Sequence, residues 1–141
     1  MHVLIVDDVA ENTKLLASVV RRLPGVVTDL FTSALEALDW ARDNDPALVL
    51  LDYHMPDLDG IEFLERFRKL PGKHNTPIVI VTSETDIEVR LRALDLGATD
   101  FIVKPYRNAE IRARVSNLLE LQRARALLQV QARFLGDRAP D

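Results

Sequence analysis

Five residues of the chain could do chemistry together: Asp7, Asp8, Asp52, Thr82 and Lys104. Each closes or directly follows a short apolar run. "VLIV" leads into Asp7 and Asp8, "ALVLL" into Asp52, "IVIV" into Thr82 and "FIV" into Lys104. Adjacent carboxylates are electrostatically unfavourable unless a positive charge offsets them. A hard divalent cation such as Mg²⁺ would do so, because it prefers oxygen ligands, takes one or a few carboxylates and keeps waters that phosphate oxygens can replace. Such a cation together with a hydroxyl and a lysine ammonium describes a phosphoryl site. Metal and ammonium neutralise phosphate charge, and the hydroxyl bonds an equatorial oxygen. Cysteine is absent, and the sequence shows neither a Ser-His pair nor a Gly-rich phosphate loop. The available nucleophile is then a carboxylate, and the implied product is an aspartyl phosphate.

That chemistry needs the five residues to converge, and the patterning of the chain supplies the means. Short apolar runs at Val3 to Val6, Val26 to Phe31, Leu48 to Leu51, Ile78 to Val81 and Phe101 to Val103 predict five strands. Between them, apolar residues spaced by three and four predict four helices, marked by Leu16 and Val20, by Leu35 and Leu38, by Ile61 and Leu64, and by Ile87, Leu91 and Leu94. Ser33 with Glu36 makes a capping box, Asp59 before Gly60 and Glu62 marks another helix start, and Gly97 marks a helix end. Strand alternating with helix predicts an α/β fold, a doubly wound five-stranded parallel sheet in the flavodoxin-like order 2-1-3-4-5. Ligands of such sheets bind at the carboxyl ends of the strands, where the order reverses between strands one and three. Asp7, Asp8 and Asp52 end those two strands, and Thr82 and Lys104 end the next two.

Composition bounds the alternatives. A chain of 141 residues suits one domain with a full core. A net charge of -4 gives no electrostatic footprint for nucleic acid, so none is expected as a partner. The charge is uneven: residues 107 to 141 hold seven Arg against four acids, a mildly basic tail on an acidic body. Without cysteine there is no disulfide and no thiolate metal site. Asp7 and Asp8 interrupt any signal-peptide core, and the aliphatic runs are too short to span a bilayer. The expectation is a cytoplasmic protein with no membrane partner.

The motifs "VLIVDD", "LLDYHMPDLDG", "IVIVTS" and "GATDFIVKP", in this order and spacing, resemble the receiver domain of two-component response regulators over residues 1 to about 120. The resemblance implies that Asp52 accepts a phosphoryl group from a histidine of a sensor kinase or phosphotransfer protein. It implies that Asp7 and Asp8 hold Mg²⁺ together with Asp52 and the backbone carbonyl of His54, and that Lys104 pairs with the acceptor carboxylate. Thr82 would move toward the phosphoryl group and let Phe101 swing inward, biasing the surface of the fourth helix, fifth strand and fifth helix. With Phe at that position, coupling comes from packing instead of a phenol hydrogen bond. The side chains of His54 and Glu84 would lie beside the phosphoryl group and tune its hydrolysis. Ser83 stands where the family most often has Ala or Gly, which implies altered rates. The Lys104-Pro105 bond would be cis, making Pro105 the cis-proline. A receiver accepts and slowly hydrolyses its own aspartyl phosphate and is not a turnover enzyme.

Beyond Pro105, "RNAEIRARVSNLLELQRARALLQVQARFLG" has no proline or glycine before Gly136, which predicts one long helix. Ile111, Val115, Leu118 and Leu119 suit packing on the sheet. Leu121, Leu128 and Leu135 then recur every seven residues, so residues 121–141 are expected to form a helical extension or linker, a candidate coiled coil that dimerises. No helix-turn-helix pattern fits there, and the expectation is a single-domain receiver or one cut from a longer chain. "DGIEFLERFRKLPG" and "RARVSNLLELQRAR" resemble regulators whose receiver precedes an HD-GYP cyclic-di-GMP phosphodiesterase domain, although the paired His-Asp metal motif is absent here. Two other readings compete. A haloacid dehalogenase-type phosphatase needs its two acids two residues apart, whereas these are adjacent. A phosphorylation-independent receiver-like binding module would usually have lost an acid or the lysine, and all five residues are kept.

Overall fold

The computed structural model describes residues 1–137. Its strands are β1 (His2–Val6), β2 (Val27–Phe31), β3 (Leu48–Leu51), β4 (Ile78–Thr82) and β5 (Asp100–Val103). They alternate with α1 (Ala10–Val20), α2 (Ala34–Asp43), α3 (Gly60–Lys69), α4 (Ile87–Asp95) and α5 (Asn108–Asp137). The sheet is parallel throughout, in the order β2-β1-β3-β4-β5. The doubly wound arrangement and the strand order are those the sequence predicts.

The unbroken apolar strands follow from burial on both sheet faces. On β1, Leu4 and Val6 face one core with Val49, Leu51, Ile78, Ile80 and residues of α2 and α3. Val3 and Ile5 face the other, with Leu48, Leu50, Val79 and residues of α1 and α5. Burying each such side chain contributes about 1.5–3 kcal/mol. In α3, Phe63 and Phe67 stack with ring centroids 5.8 Å apart. Trp40 sits at the edge of this core, tilted against Phe31, as peripheral packing.

The helix starts are chemically specified. The Ser33 hydroxyl accepts from the Glu36 N–H, and the Asp59 carboxylate accepts from the Glu62 N–H at 2.9 Å. Arg68 ties three segments together by donating to the carbonyls of Lys73, Thr76 and Gly97. Gly97 adopts a φ of 111°, which its stop position requires. Two expectations about packing change: Leu35 of α2 is 46% exposed, and the α4 stripe Ile87, Leu91 and Leu94 marks a helix but not a buried face. These side chains are 59%, 58% and 37% exposed, and α4 buries Ala93 instead.

Ile111, Val115 and Leu119 seat the first half of α5 on the sheet, and the helix then continues beyond it through Gly136. Two arginines hold its path. Arg123 donates to the Pro24 carbonyl and Arg125 to the Asn75 carbonyl, each at 3.2 Å. Residues 138–141 of the expected extension lie outside the described residues.

The loop after β3 is closed by the Gly60 N–H, which donates to the Tyr53 carbonyl at 2.8 Å. A Cβ on Gly60 would fall 2.9 Å from the Tyr53 Cα and 3.3 Å from the Asp52 carbonyl oxygen, both backbone atoms. Gly60→Ala is therefore expected to lose about 1–3 kcal/mol of stability to overpacking, measured by urea denaturation. Wild-type stability in that variant would mean the loop yields without strain.

Candidate functional site

The register of the sheet brings the carboxylates together. Val6 pairs with Leu51, and the Asp52 N–H donates to the Val6 carbonyl at 3.0 Å, so Asp7 and Asp52 leave adjacent strands side by side. On the other side, Thr82 pairs with Val103, and the Lys104 N–H donates to the Thr82 carbonyl at 2.8 Å. The carboxylates of Asp7, Asp8 and Asp52 present oxygens within 4.8 Å of one another, with Asp7 buried, Asp52 half-buried and Asp8 exposed. The Lys104-Pro105 peptide is cis. The Lys104 ammonium reaches back across the sheet end to Asp7 Oδ2 at 3.2 Å and Asp52 Oδ2 at 3.6 Å. Lys104 pairs with both carboxylates, and Asp7 is the nearer.

The charge is not balanced. Three carboxylates face one ammonium, and Asp52 Oδ1 is buried without a hydrogen-bond partner. Burial pushes the Asp7 carboxyl above its ordinary value. The Val9 N–H and Lys104 oppose that push, and the Asp52 charge adds to it. An orphaned buried oxygen amid convergent carboxylates fits a hard cation, which takes oxygen ligands and would supply the missing positive charge.

Around this centre stand the other residues the sequence singles out. Thr82 is fully buried, and its hydroxyl oxygen accepts from the Glu84 N–H at 3.2 Å. Ser83 is exposed beside it. His54 and Glu84, expected separately beside the site, meet each other, with Nε2 and Oε2 2.9 Å apart. Phe101 is buried, with the Arg90 guanidinium 5.8 Å from its ring centroid. Sequence reasoning missed Arg90 because no local pattern links α4 to β5. It also missed Asp57, which leaves the site to bind the Ser33 hydroxyl and the Leu35 N–H, fastening the β3–α3 loop to the start of α2. Tyr53 packs edge-on against His54, and Tyr106 follows the cis-proline, where burial raises its phenol above the ordinary value.

The fold and this constellation define a receiver-type architecture, and comparison with known proteins agrees. A family model for the response regulator receiver domain matches residues 3–116, and the chain belongs to that family. The cyclic di-GMP phosphodiesterase response regulator RpfG of Xanthomonas campestris pv. campestris (strain 8004) is 38% identical over 139 residues, covering 98% of this chain and 37% of that protein. The regulatory protein AtoC of Escherichia coli (strain K12) is 33% identical over 121 residues, 86% of this chain and 26% of that one. The chain thus spans well under half of either relative. Among solved structures, a CheY-like receiver domain protein from Methanospirillum hungatei JF-1 superposes with a TM-score of 0.80 at 25% identity, covering 88% of this chain and 97% of that one. A response regulator from Chloroflexus aurantiacus J-10-fl gives a TM-score of 0.77 at 31% identity, covering 84% and 97%.

Because burial disfavours the charge on Asp7, Asp7→Asn is expected to stabilise the protein in chelator at neutral pH. The raised folded-state value sets the sign. The advantage is present where Asp7 is ionised and fades as pH falls and the wild-type carboxyl takes up its proton. Thermal melts of both proteins across that range test it, and a destabilised Asn variant would show that Lys104 and the Val9 N–H already outweigh the burial.

Proposed function

We propose that this receiver accepts a phosphoryl group on Asp52 from a phosphohistidine of a sensor histidine kinase or phosphotransfer protein. The observation that carries the reading is Lys104 shared between Asp7 and Asp52 while Asp52 Oδ1 has no partner. A carboxylate oxygen of Asp52 attacks phosphorus, the P–N bond to the donor histidine breaks, and its electron pair stays on the imidazole nitrogen. Asp7, Asp8, Asp52 and the His54 carbonyl would hold Mg²⁺, which when bound offsets the charge of the phosphoryl oxygens. Lys104 is already within reach of the acceptor and can follow a phosphoryl oxygen. The Thr82 hydroxyl, accepting from the Glu84 N–H, keeps its proton to donate. His54 and Glu84, paired over the site, tune access of the hydrolytic water.

Displacement of Thr82 and Phe101 would then bias the surface of α4, β5 and α5. The output is carried by α5, whose exposed heptad stripe supports dimerisation, or by a domain beyond it. The similarity to a phosphodiesterase response regulator supports an output of the HD-GYP kind. No helix among the described residues is long and apolar enough to cross a membrane, which is consistent with action in the cytoplasm. The chain works as a switch that hydrolyses its own aspartyl phosphate, not as an enzyme on an external substrate.

Intact-mass measurement after incubation with a small-molecule phosphodonor tests the reading. One Mg²⁺-dependent phosphoryl adduct is expected, absent in Asp52→Ala and formed at least about tenfold more slowly in Lys104→Ala. An adduct that persists in Asp52→Ala would place the acceptor elsewhere, and no adduct from small donors or a phosphohistidine protein would leave a binding module. The same samples test the cation. At about 100 times its dissociation constant, Mg²⁺ should add about 2.7 kcal/mol of stability, lost in Asp8→Ala.

A further inference from the structure

Beyond the sheet, α5 carries an apolar stripe that its own domain covers only in part, Leu121 and Leu128 bordering open clefts against the loop before β4. Leu121, Leu128 and Leu135 are 45%, 63% and 67% exposed. At about 100° per residue, Leu121 and Leu128 lie roughly 120–180° round the helix from Val115 and Leu119, which face the sheet. We propose that this segment pairs with the same segment of a second copy as a parallel, in-register two-stranded coil. Leu121, Leu128 and Leu135 fill one core position and Ala124 and Gln131 the other. The proposal rests on the reading of this helix as a dimerising output and adds its orientation and register.

The flanking charges select the orientation. In a parallel coil, a residue just before one core position faces the residue five places later on the partner helix. That rule sets Glu120 of each copy against Arg125 of the other, an opposite-charge pair made twice by symmetry. The next such pair, Leu127 with Ala132, is apolar and widens the seam. An antiparallel pairing instead carries Glu120 and Arg125 to opposite ends of the coil and leaves both without the other. Arg125 is placed to serve two roles. Its bonds to the Asn75 carbonyl and the Gln122 side chain both use Nη1, and its Nη2 and Nε can meet Glu120 of the second copy. The polar Gln131 in the seam penalises slipped registers, as a single polar core residue does in other coils. With about two heptads, the pairing is weak enough to depend on concentration.

The chain has no cysteine, so single-cysteine variants report neighbours cleanly. Leu121→Cys and Leu135→Cys, each alone in the full chain under mild oxidation, are expected to form homodimeric disulfides. Preferential linkage of one variant to the other in a mixture would show an antiparallel pair and overturn the register. By light scattering over a concentration series, Glu120→Arg and Arg125→Glu should each weaken the dimer about fivefold, and an equimolar mixture or the double variant should restore it. Unchanged dimerisation in the single variants would overturn the charge pairing. A chain that stays monomeric at all concentrations, with and without phosphodonor, would overturn the dimer itself. The Asp52 adduct on the same samples shows separately whether the receiver reading stands.

Discussion

Three carboxylates and one ammonium gathered at the end of a buried sheet leave two negative charges that the fold does not neutralise. Much of the local structure follows from holding that arrangement. A buried charge is costly unless it is paired and hydrogen-bonded. Accordingly, Asp7 accepts from the Val9 N–H and from Lys104, so the start of α1 is set by the site: Val9 offers no side-chain cap, and Asp7 receives the amide of the capping residue. Lys104 arrives from the far side of β4 because the parallel register ends β1, β3, β4 and β5 at one rim. The sheet serves the site by bringing together residues 97 positions apart in sequence.

Strands buried on both faces leave a strong imprint on sequence, since every position must be apolar, and the residue that ends the run must sit at the rim. That is why Asp7, Asp52, Thr82 and Lys104 are legible from their positions alone. Other features are set by contacts between loops that no periodicity records. The pairing of His54 with Glu84 depends on how the loops after β3 and β4 meet. Asp57 reads as one of two acids in "MPDLDG", yet it fastens its loop to α2. The periodic stripe on α4 is legible as a helix, but periodicity does not say which side the protein covers, and the small Ala93 turns inward while the large residues face out.

The two helices beside the site's distal strands are anchored very differently. α5 is fixed to the sheet by Ile111, Val115 and Leu119, and Arg114 pairs with Asp100 at the start of β5, so β5 and the first turns of α5 are fastened together. α4 buries only Ala93 among its own residues and follows the loop that carries Ser83 and Glu84. Segments with few buried apolar side chains sit at the low end of local stability. The least anchored helix therefore adjoins Thr82, and Arg90 on that helix covers Phe101 of the better anchored strand. The Arg90–Phe101 contact, a cation–π attraction on the order of 0.5–1 kcal/mol, therefore joins a loosely anchored helix to a firmly anchored strand.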